Sequence, residues 1–190
     1  MVTINVFSNK ASFTALTLAV MLLVGCVNVP KVLEGTTRTP QQNLNVIKMT
    51  PQAFIGQEAR FGGTVVSVVN EPKRTRLEIT SVPLDSGAKP ILGEASQGRI
   101  IAYVNAFLEP VDFQGRLVTV IGSVAGIEKG KIGKVPYDFV VINVNGYKRW
   151  YLAEQIVMPP ALMDPWGLRG YPNWGWYNNQ TAQIQTIVTE

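Results

Sequence analysis

The sequence predicts a mainly β protein, built as a small antiparallel barrel of OB-like type that is closed or partly open. Five or six short β runs are separated by glycine, proline and asparagine turns, which is typical of a small barrel or sandwich. The pair Gly62-Gly63 interrupts the first run, and a bend there would let one strand serve two sheets. A two-sheet sandwich is the alternative.

The β runs follow one another from residue 60 onward. Strands are expected at 61–69, 76–80, 99–104, 117–124, 137–144 and 147–152. Leu77 and Ile79 alternate with polar neighbours, so both side chains should face the interior. Asn145-Gly146 is the strongest hairpin signal because both positions tolerate a positive φ. It predicts that 147–152 folds back on the preceding strand.

Helical turns and loops fill the remaining stretches. Thr50-Pro51 supplies a hydroxyl N-cap and a proline at the first helical position, which predicts a helical turn over 51–55 that Gly56 ends. Residues 83–94 contain four breakers and are expected to form a loop. The connection 106–114 should hold one helical turn interrupted by Pro110. Residues 183–189 would add an edge strand or remain a frayed tail.

The start of the chain resembles the signal peptide of a bacterial lipoprotein. One cation, Lys10, precedes an apolar stretch over 11–23, which is shorter than the roughly 20 residues of a spanning helix. The four residues 23–26 then resemble a lipobox, with the small Gly25 before the cleavage site. Cys26, the only cysteine, would carry the lipid, including palmitate. The alternative is an uncleaved helix that ends in a chance cysteine.

Such an anchor would hold the protein at a membrane. Each buried methylene contributes about 0.8 kcal/mol, so two acyl chains bind stably where one binds only marginally. The expected organisation is a signal peptide at 1–25, a lipid-anchored tether with a short helical turn at 26–55, the barrel at 56–158 and a Pro/Gly/aromatic tail at 159–190.

Composition narrows the function classes. The chain has no histidine, which removes the usual general base and the commonest metal ligand. A lipidated Cys26 leaves no thiolate for zinc. We therefore predict no catalytic residue, no metal and no cofactor. The net charge of +4 is mild and does not indicate nucleic-acid binding.

Two surface clusters are candidates for contacts with the cell envelope. Cations at the barrel turns would face lipopolysaccharide phosphates or other anions, or else are simply solvated: Lys73, Arg74, Arg76, Lys129, Lys131 and Lys134. Tail aromatics would contact a membrane or partner protein, or else fold back and cap the barrel: Trp166, Trp174, Trp176 and Tyr177.

Two further possibilities concern the barrel surface. An OB-like face carrying Arg99 and Tyr103 would in principle stack bases or sugars, although nucleic acid is the wrong ligand outside the cytoplasm. A hydrolase acting on an envelope polymer would need two convergent carboxylates among Glu78, Asp85 and Asp138.

Several motifs in order resemble the Slp family of starvation-inducible outer-membrane lipoproteins. They are Gly56-Gln57-Glu58-Ala59-Arg60-Phe61-Gly62-Gly63, Leu77-Glu78-Ile79, Val82-Pro83-Leu84-Asp85-Ser86, Gly98-Arg99, Phe107-Leu108-Glu109-Pro110-Val111 and Val135-Pro136-Tyr137. The resemblance implies the outer membrane and a link to starvation or stationary-phase stress, and it brings no catalytic residue or cofactor. We expect a non-catalytic lipoprotein that binds or supports envelope components; a hydrolase or a purely structural envelope protein is the alternative.

Overall fold

A computed structural model describes residues 28–157 and 183–189 of the chain. The predicted signal peptide, with Gly25 and Cys26 at its cleavage site, and the four tail aromatics at 166, 174, 176 and 177 lie outside the described residues. The helices are α1 (Lys31–Glu34), α2 (Leu44–Met49), α3 (Pro51–Phe54) and α4 (Pro110–Phe113). The strands are β1 (Glu58–Glu71), β2 (Arg74–Val82), β3 (Gly98–Val104), β4 (Leu117–Ile132), β5 (Val135–Val157) and β6 (Gln183–Thr189).

Five strands form a ring. β1 pairs antiparallel with both β2 and β4, β2 pairs with β3, and β4 pairs with β5. The ring closes where β3 runs parallel to β5. β6 adds a sixth strand to the far end of β5. The prediction of a mainly β fold is confirmed, and the ring of strands is consistent with the predicted partly open barrel.

The first strand serves two neighbours, as the glycine pair predicted. Residues 62–71 of β1 pair with β2, and residues 58–64 pair with β4, so both glycines lie where the two pairings overlap. A Cβ atom on Gly62 would lie 2.6 Å from the Thr119 hydroxyl, so this position requires glycine. The strand is continuous there, and its register shift lies further on, between Val65 and Ser67.

The barrel interior holds the main core. Leu77 and Ile79 are fully buried in it, which confirms their inward orientation. A second core lies at one side of the barrel and contains Leu33, Ala88, Leu117, Ile121 and Trp150. None of the four helices in the described ranges is long and apolar enough to cross a bilayer.

The hairpin predicted at Asn145-Gly146 is wrong. β5 continues straight through this pair, and Asn145 is an extra residue because Gly146 pairs with Ile121 while Val144 pairs with Gly122. The chain reverses earlier, at Gly133-Lys134, where Gly133 has a φ of 61°. Gly146 instead allows the backbone of Val32 to pack closely against β5, because a Cβ atom at position 146 would overlap the carbonyl oxygen of Val32.

The remaining predictions differ in outcome. The helical turn after Thr50 is present as α3, but the Thr50 hydroxyl does not cap it and donates to the Val46 carbonyl instead. The loop over 83–94 has no strand or helix, and 183–189 forms the edge strand β6. Pro110 starts α4 rather than interrupting it, because a proline at the first helical position has no hydrogen bond to lose.

Candidate functional site

The outer face of β2 and β3 places Arg99 and Tyr103 in a polar network. Arg99 Nη1 lies 2.8 Å from Glu78 Oε1, and Tyr103 donates a hydrogen bond of 2.9 Å to Glu128 Oε2. The guanidinium of Arg74 lies 3.6 Å from the centre of the Tyr103 ring. Burial raises the pKa of Tyr103, and its hydrogen bond to Glu128 raises it further.

This network occupies the groups that would bind a flat ligand. Arg74 already covers one face of the Tyr103 ring, and the hydroxyl is committed to Glu128. Below the network, Ile101, Phe139 and Val141 are buried in a third small core. The geometry therefore does not favour stacking of a base or sugar on Tyr103.

Two of the six predicted surface cations are held by carboxylates. Arg74 Nε lies 2.6 Å from Glu71, and Arg76 Nη2 lies 3.2 Å from Glu128. The second pair brings the start of the β4–β5 hairpin against β2. The four lysines of the cluster are exposed, and none of them takes part in an ion pair within the described part of the chain: Lys73, Lys129, Lys131 and Lys134.

The three acidic candidates lie in different elements, and two of them are held by partners. Glu78 pairs with Arg99, whereas Asp85 accepts hydrogen bonds from the backbone N–H groups of Gly87 and Lys89. Asp138 lines a surface cavity of about 440 Å³. No group of three or more potential metal ligands occurs within residues 28–157 and 183–189. Among the three candidates, all of which lie in the described part of the chain, the geometry shows no pair of carboxylates of the kind that hydrolysis requires.

The most strongly built site lies where the chain enters the barrel. Residues 30–37, here called the docked segment, pack on one side of the barrel. Leu33 is fully buried in the second core beside Ile121 and Trp150. Arg60, itself only 7% exposed, donates through Nη2 to the carbonyl oxygens of Leu33 at 2.5 Å and Glu34 at 3.0 Å. The segment is therefore part of the folded domain.

A carboxylate fixes the other end of the docked segment. Glu58 accepts hydrogen bonds from the backbone N–H groups of Thr36 at 3.0 Å and Thr37 at 2.8 Å, and from both hydroxyls. Burial alone would raise the pKa of Glu58, but the hydrogen bonds from Thr37 and Thr36 outweigh it, so the pKa lies below its ordinary value of 4.5. The ionised form thus favours docking.

Acid should loosen the docked segment through Glu58. A lowered pKa means that the stabilisation is complete above the ordinary glutamate pKa and is lost as the pH falls through the lower folded-state value. We expect hydrogen exchange of residues 34–38, corrected for intrinsic rates, to rise on acidification below about pH 4.5. Glu58→Gln should raise this exchange at pH 7 and remove its acid dependence. An acid dependence that survives in Glu58→Gln would contradict the assignment.

Trp150 is the centre of the second core. Its Nε1 donates a 2.9 Å hydrogen bond to the Thr119 hydroxyl, which in turn donates to the Ala88 carbonyl at 2.7 Å. Because the ring is 2% exposed, this relay satisfies polar groups that would otherwise be buried without partners. The relay ties the loop over 83–94 to the same core that holds Leu33.

Sequence reasoning did not find the docked segment, although two signals are visible. Val32 and Leu33 form an apolar pair between the charged Lys31 and Glu34, and Gly35 ends α1 with a φ of 75°, a conformation that favours glycine. Both signals are local. The partners of the segment lie at least 20 positions away in the sequence, at Glu58, Arg60 and Trp150, so no local pattern reveals them.

Comparison with known proteins gives a consistent result. A model described as "Outer membrane lipoprotein Slp family" matches residues 23–180. The chain is 56% identical to the "Uncharacterized lipoprotein YeaY" of Escherichia coli K12, with 90% of this chain and 91% of the relative covered. It is 36% identical to the "Outer membrane protein Slp" of the same organism, covering 86% and 89%. An uncharacterized protein of Haemophilus influenzae is 33% identical, covering 87% and 90%.

Proposed function

Because the chain belongs to the outer membrane lipoprotein Slp family, we propose that it is anchored through acylated Cys26 and acts without catalysis, binding or supporting components of the cell envelope. Family membership itself establishes the outer membrane as its location and membrane association as its state. The proposal has four further parts: the lipid at Cys26, cleavage after Gly25, a role in starvation or stationary phase, and contact with envelope proteins or lipopolysaccharide.

The observation that carries the proposal is the docked segment. Val29 already packs against the second core, only three residues after Cys26. Three extended residues span at most about 11 Å. A lipid on Cys26 would therefore hold the barrel directly against the bilayer and restrict which of its faces meets the membrane. Such a position suits a protein that supports or contacts envelope components.

The non-catalytic part of the proposal is supported by how the polar groups are used. Arg99 on β3 forms an ion pair with Glu78 on β2, and Tyr103 on β3 donates a hydrogen bond to Glu128 on β4. These polar groups therefore already have partners within the protein. The carboxylate of Asp85 shapes its own loop. A hydrolase would require two carboxylates directed into one cleft, so the geometry favours a binding or supporting role over the hydrolase alternative.

Replacing the anchor residue tests the proposal. We expect Cys26→Ser to lose palmitate labelling and membrane sedimentation, because the acyl chains supply the stable attachment. Gly25→Ala, which keeps a small residue before the cleavage site, should retain both and is the control. Firm sedimentation of Cys26→Ser without any loss of label would contradict the anchor. In intact cells, crosslinking with identification of the captured envelope component tests the binding role.

A further inference from the structure

One part of the surface is unusually apolar for an exposed sheet. Residues 151–157 of β5 and 183–189 of β6 form a two-stranded extension beyond the barrel, here called the flap. Five of the exposed large apolar side chains of the described residues lie on it: Tyr151, Leu152, Ile156, Val157 and Ile184. Ile91 and Leu92, which line a surface cavity beside β6, are also exposed. Concentrated exposed apolar groups of this kind mark an interaction surface.

One face of the flap continues the second core. Strand alternation places Leu152, Ile156, Ile184 and Val188 on the face that carries Trp150. Trp150 is 2% exposed, whereas Ile156 is 62% and Ile184 is 68% exposed. The row of apolar side chains that begins at the buried Trp150 therefore continues beyond the barrel, where these side chains are exposed.

The flap lies beside the start of the chain. Val188 of β6 and Val29 both pack against the second core, which also holds Leu33. The proposed lipid on Cys26 would be within about 11 Å of Val29. A surface next to a membrane anchor at this range meets the bilayer before it meets any soluble partner.

Charge near the flap agrees with a phospholipid surface. Lys89 Nζ lies 3.4 Å from the Val188 carbonyl, which places a cation beside β6, and Lys31 of the docked segment is exposed. Both would be attracted by anionic headgroups. Glu154 and Thr186 separate the apolar side chains on the same face, so contact would occur at the depth of the headgroups rather than in the hydrocarbon.

We propose that the flap is a second membrane contact, which lies on the phospholipid surface beside the anchor and orients the barrel. This inference rests on the proposed lipid at Cys26. The lipid supplies the attachment, and the flap supplies the orientation. The opposite end of β5, at the β4–β5 hairpin, then points away from the bilayer.

Site-specific fluorescence on the lipidated full-length product tests the flap. Because an acylated Cys26 is unreactive and the chain has no other cysteine, a single introduced cysteine can be labelled with an environment-sensitive probe. Ile156→Cys and Ile184→Cys report on the flap. Val135→Cys is the matched control, since Val135 is 66% exposed at the other end of the same strand. The labelled proteins are placed in phospholipid vesicles that contain brominated acyl chains.

We expect blue-shifted emission and bromine quenching at 156 and 184, and neither at 135. Equal, weak quenching at all three positions in a protein that still sediments with the vesicles would overturn the flap contact and leave the anchor intact. A blue shift without quenching would show that protein, including residues 158–182 or a second copy, covers the flap, which also overturns the proposal. Labelling of Cys26 together with loss of sedimentation would instead contradict the anchor.

Discussion

Trp150→Ala should cause the largest loss of stability of any single truncation in the second core. The ring is 2% exposed and packs with Leu33, Leu117 and Ile121. Replacing a buried tryptophan by alanine removes its burial and leaves a cavity, which costs about 3–5 kcal/mol of unfolding free energy. Denaturant unfolding of the variant and the wild type measures this difference.

Two further variants make the Trp150 prediction specific. Trp150→Phe keeps an apolar ring but removes the Nε1 donor to Thr119, so its loss should lie between those of wild type and Trp150→Ala. Tyr151→Ala, at a neighbouring residue that is 52% exposed, should change stability by about 0.5 kcal/mol or less. If Trp150→Ala were no more destabilising than Tyr151→Ala, the second core would not contribute to stability.

Gly146→Ala should detach the docked segment while leaving the main core intact. A Cβ atom at this position would overlap the carbonyl oxygen of Val32 and approach Ile121 Cγ2 to 3.2 Å. Because the obstructing atom is backbone, the clash is relieved only by moving the segment. Overpacking of this kind costs about 1–3 kcal/mol.

Hydrogen exchange of residues 31–38 distinguishes detachment from general unfolding. We expect faster exchange of this stretch in Gly146→Ala and unchanged exchange in β1 and β2. Asn145→Ala changes the exposed residue of the same bulge and is the control. Unchanged exchange at 31–38 in Gly146→Ala would mean that the segment does not rest on β5 in solution.

Local patterns in the sequence predicted the elements that depend on local physics. Alternation identified Leu77 and Ile79 because the side-chain period of a strand is two residues. The proline of Thr50-Pro51 identified α3 because proline favours the first position of a helix, which is also a local effect. The glycine pair in β1 indicated the shared strand, and with it the barrel.

The features that the sequence did not predict depend on contacts between residues that are far apart in the chain. Asn145-Gly146 fits the pattern of a turn. The glycine is instead required because it packs against the backbone of Val32, which lies more than a hundred residues earlier in the chain. The docked segment is held by contacts with Glu58, Arg60 and Trp150, and these contacts cannot be predicted from the residues next to the segment in the sequence. Arg99 and Tyr103 were recognised as surface residues, but their carboxylate partners on β2 and β4 require the tertiary fold.

The burial of Leu33 also sets an order of events during biogenesis. Its site is built from Leu117, Ile121 and Trp150, so it does not exist until the second half of the chain has been made. Contacts that join distant parts of a sequence form late. While the polypeptide is still emerging, Leu33 therefore has no site to occupy, and the proposed acylation at Cys26 would precede the docking of this segment.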